Sequence, residues 1–520
     1  MVEKKRVPYQ NAKSKIKKSS ISNRLVQQAV NIETVPCILS PTDPRWKPFL
    51  QEGTPMTTGC EKHCKPVLDF PLENLAIVEN DMKTKLLYHA KPVLTQVGKT
   101  SLNVAVCGVH EIASYPPIKM DTSTGWPWNV DYPKMKREDL LRPQRNEQGE
   151  MISCDPHPIF LAKCEEREKN RESGIRPDTV FWDHLKDERK LREKALKPGG
   201  TRIFSLSPID FLVQYRQLNM DVDAAWHEAW LKLNHAVGIS PDGPCWSKLA
   251  RMLLGKGTKL VCLDFSNFGP GLNSQVAAAM ERINQAWYAQ YQTKSGLEKD
   301  QVQREVMIEE VCNANHLMGS YVYRTVCGIP SGHPGTTPLN TKCNQAYIKL
   351  AWLELAPIGK QNLSDFEEHT CLFTYGDDMI MSVSDEAIEW FNLESLIKFF
   401  QKYQIKATDA SKTELVRKFC SIEECIFLKR GFKQHPTRRG EWLAPVDMRS
   451  ITDCAHYIHS SPSDLASTQL NMEQSVRLCY GHGPEKFEEW RNKVNHAASH
   501  VRGLEPVQLD WTLLDRAFFA

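Results

Sequence analysis

Residues 371–383 read Cys-Leu-Phe-Thr-Tyr-Gly-Asp-Asp-Met-Ile-Met-Ser-Val. Two apolar runs flank Gly376-Asp377-Asp378. Gly and Asp are turn formers, so the stretch predicts a β-hairpin with two carboxylates at its tip. Alone, that tripeptide says little, since it arises by chance in roughly one chain in ten of this length. A second stretch gives it weight. Leu260-Val261-Cys262-Leu263 is a continuous apolar run, the pattern of a strand buried on both faces, and it ends at Asp264. If these strands pair, three carboxylates converge at one end of a sheet. Hard oxygen donors placed there suit Mg²⁺ shared with substrate phosphates. Two such ions about 3.5–4 Å apart serve phosphoryl transfer by activating the attacking oxygen and stabilising the leaving one.

Working outward, Gly269-Pro270-Gly271 forms a loop after Asp264. A helix follows with Val276, Met280, Ile283 and Trp287 on one stripe. A further helix is expected over about 298–316 and a strand over 320–327. The Gly328–Gly335 loop feeds a helix with Pro338 in its first turn, where proline is tolerated. Its stripe is Leu339, Cys343, Ala346 and Leu350, and it stops at Pro357. Ser331, Thr336, Thr337 and Asn340 offer hydroxyls and an amide near that helix start, where a sugar or phosphate can be gripped. In isolation a glycine-rich connector is the simpler reading. After the hairpin, Trp390, Leu393, Ile397 and Phe400 predict one helix face, 422–432 a strand or hairpin, and the tail from about 445 mostly helix. Upstream, 186–202 is basic, with a turn at Pro198-Gly199-Gly200, and 1–80 is polar and loop-rich. Strands interleaved with helices suggest α+β with several subdomains.

The chain has 520 residues, 41% hydrophobic and 25% charged, ordinary values for globular units with a sizeable core. A mainly disordered, collagenous or disulfide-scaffold protein is excluded. No apolar run approaches the ~20 residues of a membrane span. The polar, basic start lacks a secretory signal, so the 16 cysteines read as reduced thiols of a cytosolic protein. The net charge of +3 hides an asymmetry. Lys4, Lys5, Arg6, Lys13, Lys15, Lys17, Lys18 and Arg24 face only Glu3, so the rest of the chain is net acidic. Any attraction for nucleic acid must therefore be local.

Seven segments follow one order. Thr122-Ser-Thr-Gly-Trp-Pro127, Lys186-Asp-Glu through Arg202-Ile-Phe, Asp264-Phe-Ser-Asn-Phe, Pro330-Ser-Gly-His-Pro-Gly-Thr336, Tyr375-Gly-Asp-Asp378, Thr408-Asp-Ala-Ser-Lys412 and Phe427-Leu-Lys-Arg430 resemble motifs G, F, A, B, C, D and E of positive-strand RNA virus RNA-dependent RNA polymerases. Arg202-Ile-Phe-Ser-Leu-Ser-Pro-Ile-Asp-Phe and Asn267-Phe-Gly-Pro-Gly-Leu272 resemble the picornavirus-like order, especially its dicistrovirus and iflavirus groups. Residues 1–120 and 440–520 match weakly.

The resemblance implies a right hand: fingers over 1–219 and 301–328, palm over 220–300 and 329–432, and a mostly helical thumb over 433–520. It implies templated RNA synthesis from ribonucleoside triphosphates. Asp264 and Asp377 would hold two Mg²⁺ ions, which Mn²⁺ can replace, with Asp378 in a lesser role. Lys194 and Arg202 would neutralise nucleotide phosphates, and Lys186 would shape the entry channel. Ser331, Gly332, Thr336 and Asn340 would sense the ribose, and Lys412 would protonate pyrophosphate. Phe427, Leu428, Lys429 and Arg430 would steady the primer end, while Thr122 and Ser123 would meet the template. Implied partners are RNA template and primer, a small virus-encoded protein primer and other viral replication proteins. The implied location is the host cytoplasm, peripherally at replication membranes. One departure stands out: most relatives carry a second Asp at the position of Gly269. Asn340, lacking that carboxylate, is expected to find a partner in Ser331, Thr336, Asn267 or Asn273.

Competing readings are weaker. Cys60-Glu-Lys-His63-Cys64 is half a zinc site at most, and free thiols and a histidine account for it. Val326-Cys327-Gly328 resembles a viral cysteine-protease segment only faintly. A reverse transcriptase is disfavoured by Gly376, Ser331-Gly332 and Asn340. An inactive RNA-binding scaffold is disfavoured by the presence of Asp264, Asp377, Asp378 and Lys412.

Overall fold

The computed structural model describes residues 13–25, 34–410 and 417–520. Lys412 therefore lies outside the described residues. The elements that build the site run in chain order as β1 (Val180–Leu185), β2 (Ile203–Leu206), α1 (Ile209–Glu228), α2 (Pro244–Lys256), β3 (Lys259–Phe265), α3 (Ser274–Tyr291), β4 (Asn315–Met318), β5 (Tyr321–Arg324), α4 (Thr336–Leu355), β6 (Thr370–Tyr375), β7 (Asp378–Val383), α5 (Leu393–Lys402) and β8 (Ala407–Asp409).

The central sheet has the order β6-β7-β3-β8, antiparallel throughout. Its strands alternate between two cores, which explains their unbroken apolar runs. Val261, Leu263, Phe265, Leu372, Met379 and Met381 face a large core completed by α3, α4 and α5. Leu260, Cys262, Cys371, Phe373 and Ile380 face a second core with Trp246, Leu249 and Leu253 of α2. A sheet covered on both faces has no room for polar alternation. The α3 stripe of Val276, Met280, Ile283 and Trp287 is fully buried, as its 3.6-residue spacing predicts.

A second sheet, β5-β4-β1-β2, stands beside it, with β1 and β4 parallel. The helical tail forms its own core from Leu443 to Trp511, and Ile21 and Leu25 join it. Residues Ile16–Lys18 pair with Tyr457–His459, while Thr34–Pro36 pair with Arg189–Leu191. The N-terminal segment thus ties the basic region to the helical tail. No helix among the described residues is long and apolar enough to cross a membrane.

Three local expectations need correction. The helix expected over 298–316 ends at Cys312, and Asn315 and His316 belong to β4. Trp390 precedes its helix, which starts at Leu393 behind an Asn392 cap accepting from Ser395 N. Of the strand or hairpin expected over 422–432, only a short hairpin forms. A 3₁₀ turn at Ile422–Glu424 leads to a two-residue hairpin turn in which Phe427 and Arg430 exchange both backbone hydrogen bonds at 2.9 Å. Leu428 and Lys429 at its tip have φ of 54° and 59°. That left-handed pair is the signature of a type I′ turn, here without glycine, and non-glycine residues pay for it in strain.

Candidate active site

Antiparallel register sets the site. Met379 pairs with Leu263, so the next rung places Asp378 opposite Asp264, and the turn carrying Asp377 projects just beyond. On the other edge of β3, Thr408 pairs with Asp264 and its hydroxyl donates to the Asp264 carbonyl at 3.3 Å. Asp377 is exposed at the tip, yet the surrounding walls strip enough hydration to push its carboxyl pKa upward. The nearby Asp264 charge raises it further, whereas Arg202 and Lys429 pull it down. The Asp264 carboxylate thus sits close enough to oppose ionisation of Asp377.

Helix α4 holds this turn. Thr341 Oγ1 accepts from Gly376 N at 2.8 Å, and Asn344 Nδ2 donates to the carbonyls of Gly376 at 3.0 Å and Asp378 at 3.3 Å. Sequence reasoning missed both residues. Their signal was a polar pair three apart on an otherwise buried helix. Asn344→Ala leaves two carbonyls without their donor, each such loss costing about 1–3 kcal/mol when buried. A turnover ~10–100-fold lower, with the melting temperature shifted by a few degrees at most, is the expected result. Steady-state kinetics beside a thermal melt checks it.

Two grooves flank the carboxylates. One, of about 1000 Å³, is lined by Thr337, Asn340, Asp377, Asp378, Leu428, Lys429 and Arg430, among others. The other, of about 1620 Å³, includes Lys194, Asp264, Ser266 and Thr408 in its lining. Asn340 Oδ1 is buried with no hydrogen-bond partner among the described residues. The partners expected for it are engaged elsewhere. Ser331 Oγ accepts from Ser205 N at 3.0 Å, Thr336 Oγ1 donates to His333 O at 2.6 Å, and Asn273 caps α3. No hydrogen bond joins Asn340 Oδ1 to Asn267 among the described residues either. A Cβ on Gly269 would meet nothing within 4 Å, so glycine is not sterically required there. Its carbonyl accepts from Ile329 N at 3.0 Å, knitting this loop to the Gly328 loop.

The basic residues are partly occupied. Arg202 forks onto Glu188, with Nε at 2.7 Å from Oε1 and Nη2 on Oε2. Lys190 stands 3.3 Å and Lys186 4.0 Å from the same carboxylate. Burial alone would raise the Glu188 pKa, but these cations turn the shift downward. Glu188, also missed from sequence, is thus a built-in counter-ion for the basic cluster.

Other expected residues fall differently. Phe427, expected at the primer end, is instead 1% exposed in the α2 core, 6.3 Å from the Trp246 ring. It anchors the turn whose tip carries Leu428 and Lys429. Arg430 donates to Ala444 O at 2.9 Å and lies 3.6 Å from Asp242, so it is committed to the fold. The Thr336 hydroxyl turns into its own loop rather than toward the carboxylates. Thr122 and Ser123 line neither groove. Thr122 is exposed, and Ser123 Oγ accepts from Gly125 N at 3.1 Å. Cys60 is buried beside Asp183 and Tyr323, and the His63 ring packs 5.5 Å from that of His316. Burial pushes His63 down to about 4, as befits a neutral core histidine.

Residues 26–501 match the sequence pattern of the family described as viral RNA-dependent RNA polymerase. The chain is 34% identical over 507 residues to the genome polyprotein of Deformed wing virus, covering 96% of this chain and 17% of that polyprotein. It is 29% identical to the replicase polyprotein of Acute bee paralysis virus, over 77% of this chain and 21% of the relative. The chain thus spans about a sixth to a fifth of these relatives. Among solved structures, the Sicinivirus 3Dpol RNA dependent RNA polymerase superposes with a TM-score of 0.77 at 20% identity, covering 97% of this chain and 95% of that one. That likeness gives the fold, a right-hand α+β architecture.

Proposed function

The chain belongs to the viral RNA-dependent RNA polymerase family, and from that premise we propose that it copies RNA templates into RNA from ribonucleoside triphosphates. The replicated molecule is the genome of a positive-strand virus. The observation that carries this reading is the register that pairs Leu263 with Met379, so that Asp264 and Asp378 come next at the same end of the two strands, with Asp377 at the adjoining tip.

The donor set fits two Mg²⁺ ions, with Mn²⁺ able to take their place. It is all oxygen, and the Asp264 charge disfavours that of Asp377 in a way a divalent cation relieves. Asp264 and Asp377 are assigned to the ions, Asp378 to a supporting role. When bound, they supply charge neutralisation at the attacking and leaving oxygens. The chain's own residues do the rest. Lys194 and Arg202 take the triphosphate, aided by Lys186, and Arg202 exchanges Glu188 for phosphate as it does so. Ser331 and Gly332 hold the loop before α4 against Ser205 and so position Asn340. Lys412 gives a proton to the departing pyrophosphate. Leu428 and Lys429 meet the primer end, and Thr122 and Ser123 the template strand.

Fingers over 1–219 and 301–328, palm over 220–300 and 329–432, and thumb over 433–520 are the proposed divisions. A small virus-encoded protein primer, viral replication proteins and a peripheral place at replication membranes in the host cytoplasm complete the reading. The direct test is extension of an oligo-U primer on poly-A with Mg²⁺, comparing the chain with Asp377→Ala. Extension by both or by neither would overturn it.

Asn340 is proposed to read the 2′-hydroxyl. Asn340 lines the groove that holds Asp377, and its Oδ1 has no hydrogen-bond partner among the described residues. A site built to bond a hydroxyl rejects the analogue that lacks it. Asn340→Ala is therefore expected to cut the preference for ribo- over deoxyribonucleotides by ~10-fold or more, while ribonucleotide use falls less. Incorporation efficiencies for both sugars give the ratio, and an unchanged ratio would place sugar selection elsewhere.

A further inference from the structure

On the far side of the central sheet from α3 and α4, three thiols meet. Cys262 lies on β3, two residues before Asp264. Cys420 docks beside the same strand, exchanging backbone hydrogen bonds with Leu260 at 2.9 Å in both directions. The chain then turns through Ile422–Glu424, which folds Cys425 back so that its Sγ is 3.5 Å from that of Cys420. The three sulfurs all lie within 4.8 Å of one another. Among the described residues this is the one group of three or more metal-capable side chains so gathered. The sequence offered no hint of it, because Cys262 is 158 positions from Cys420.

We propose that Cys262, Cys420 and Cys425 bind one zinc ion, a structural staple between the strand carrying Asp264 and the turn carrying Leu428 and Lys429. Zinc bound tetrahedrally by thiolates at ~2.3 Å sets its sulfurs about 3.8 Å apart, so the 3.5 Å pair needs only a small shift. Cys420 donates to Leu260 O at 3.5 Å and Cys425 to Ser421 O at 3.3 Å. Binding releases the three thiol protons to solvent and forms three Zn–S bonds. Cys262 and Cys425 are buried and Cys420 is half-buried, so the fourth position opens beside Cys420 and takes a water. Soft sulfur donors do not suit Mg²⁺, and the carboxylates do not select zinc, so the two sites do not compete.

The staple has a mechanical role. Cys425 is two residues from Phe427, whose ring is buried against Trp246, and the strained Leu428-Lys429 tip follows at once. Pinning Cys425 to β3 fixes where that tip stands relative to Asp264.

The test uses the full, untagged chain, purified under reducing conditions without chelator. Elemental analysis should find one zinc per chain, and exchange with Co²⁺ should give the visible bands of tetrahedral cobalt with thiolate charge transfer. Cys425→Ser and Cys420→Ser should lose metal affinity by more than the ~10–100-fold typical of losing an outer-shell partner. Cys454→Ser, a cysteine outside the trio, should keep it. Alkylation mapping of the wild type guards against misfolded variants, since zinc should protect the half-buried Cys420 and a chelator should expose it. Absence of stoichiometric metal in the wild type, retention of metal by the Cys420→Ser/Cys425→Ser double variant, or a Cys420–Cys425 disulfide in the reduced preparation would each overturn the proposal.

Discussion

Replacing Asp377 by alanine is expected to abolish primer extension, by ~10³-fold or more, with RNA affinity nearly unchanged. In the proposed reaction the carboxylate belongs to the part of the site where charge develops. Charge stabilisation by a held divalent ion is worth several kcal/mol, and about 4 kcal/mol is a factor of ~10³ in rate. On the proposed reading RNA is gripped by other residues, chiefly cations that bind the phosphate backbone and act without Asp377. Asp264→Ala should match it, because β3 delivers that carboxylate to the same end of the sheet. Asp378→Ala should be milder, since part of what that residue does is done by its backbone. It pairs with Tyr375, and its carbonyl accepts from Asn344 whatever the side chain. The measurement is extension on a primed template beside RNA binding at matched salt. Activity near wild type in Asp264→Ala or Asp377→Ala would remove the assignment of the site.

Gly332→Ala should have the second largest effect, a loss of activity of ~100-fold or more with the palm intact. The residue has no positive φ to demand glycine. What demands it is close approach. A Cβ there would overlap the Ser205 carbonyl oxygen, and would stand 3.1 Å from the Ser205 carbonyl carbon and 3.3 Å from Ser207 N. All three are backbone atoms on β2 or just after it, so no side chain can swing aside. The loop must move off β2, which breaks the bond between Ser205 N and Ser331 Oγ. Overpacking of this kind costs ~1–3 kcal/mol in stability. The larger consequence is local, because the start of α4 carries Asn340, Thr341 and Asn344, which line or hold the site. Ser331→Ala should be weaker, removing one hydrogen bond without forcing the backbones apart. A wild-type rate in Gly332→Ala would show that the loop has slack the close approach denies.

Much of this was legible along the chain. The apolar run before Asp264 and the hairpin around Asp377 are local patterns, and burial on both faces leaves a mark in composition that needs no partner to be recognised. Glycines, the Pro338 helix start and the order of seven segments are local too. Those features determined the fold class, the three carboxylates and the family. Tertiary structure alone decided matters that depend on which residues meet across long separations. It put Glu188 on Arg202, turned Phe427 into the core, and aimed Thr341 and Asn344 at the Gly376 turn. It also left the Asn340 amide oxygen without a partner among the described residues, and joined Cys262 to Cys420 and Cys425. Periodicity reports that a side chain is buried or half-buried but not against what. Strand register and helix packing choose the partner, and a one-residue shift in register would have turned Asp264 to the opposite face of the sheet.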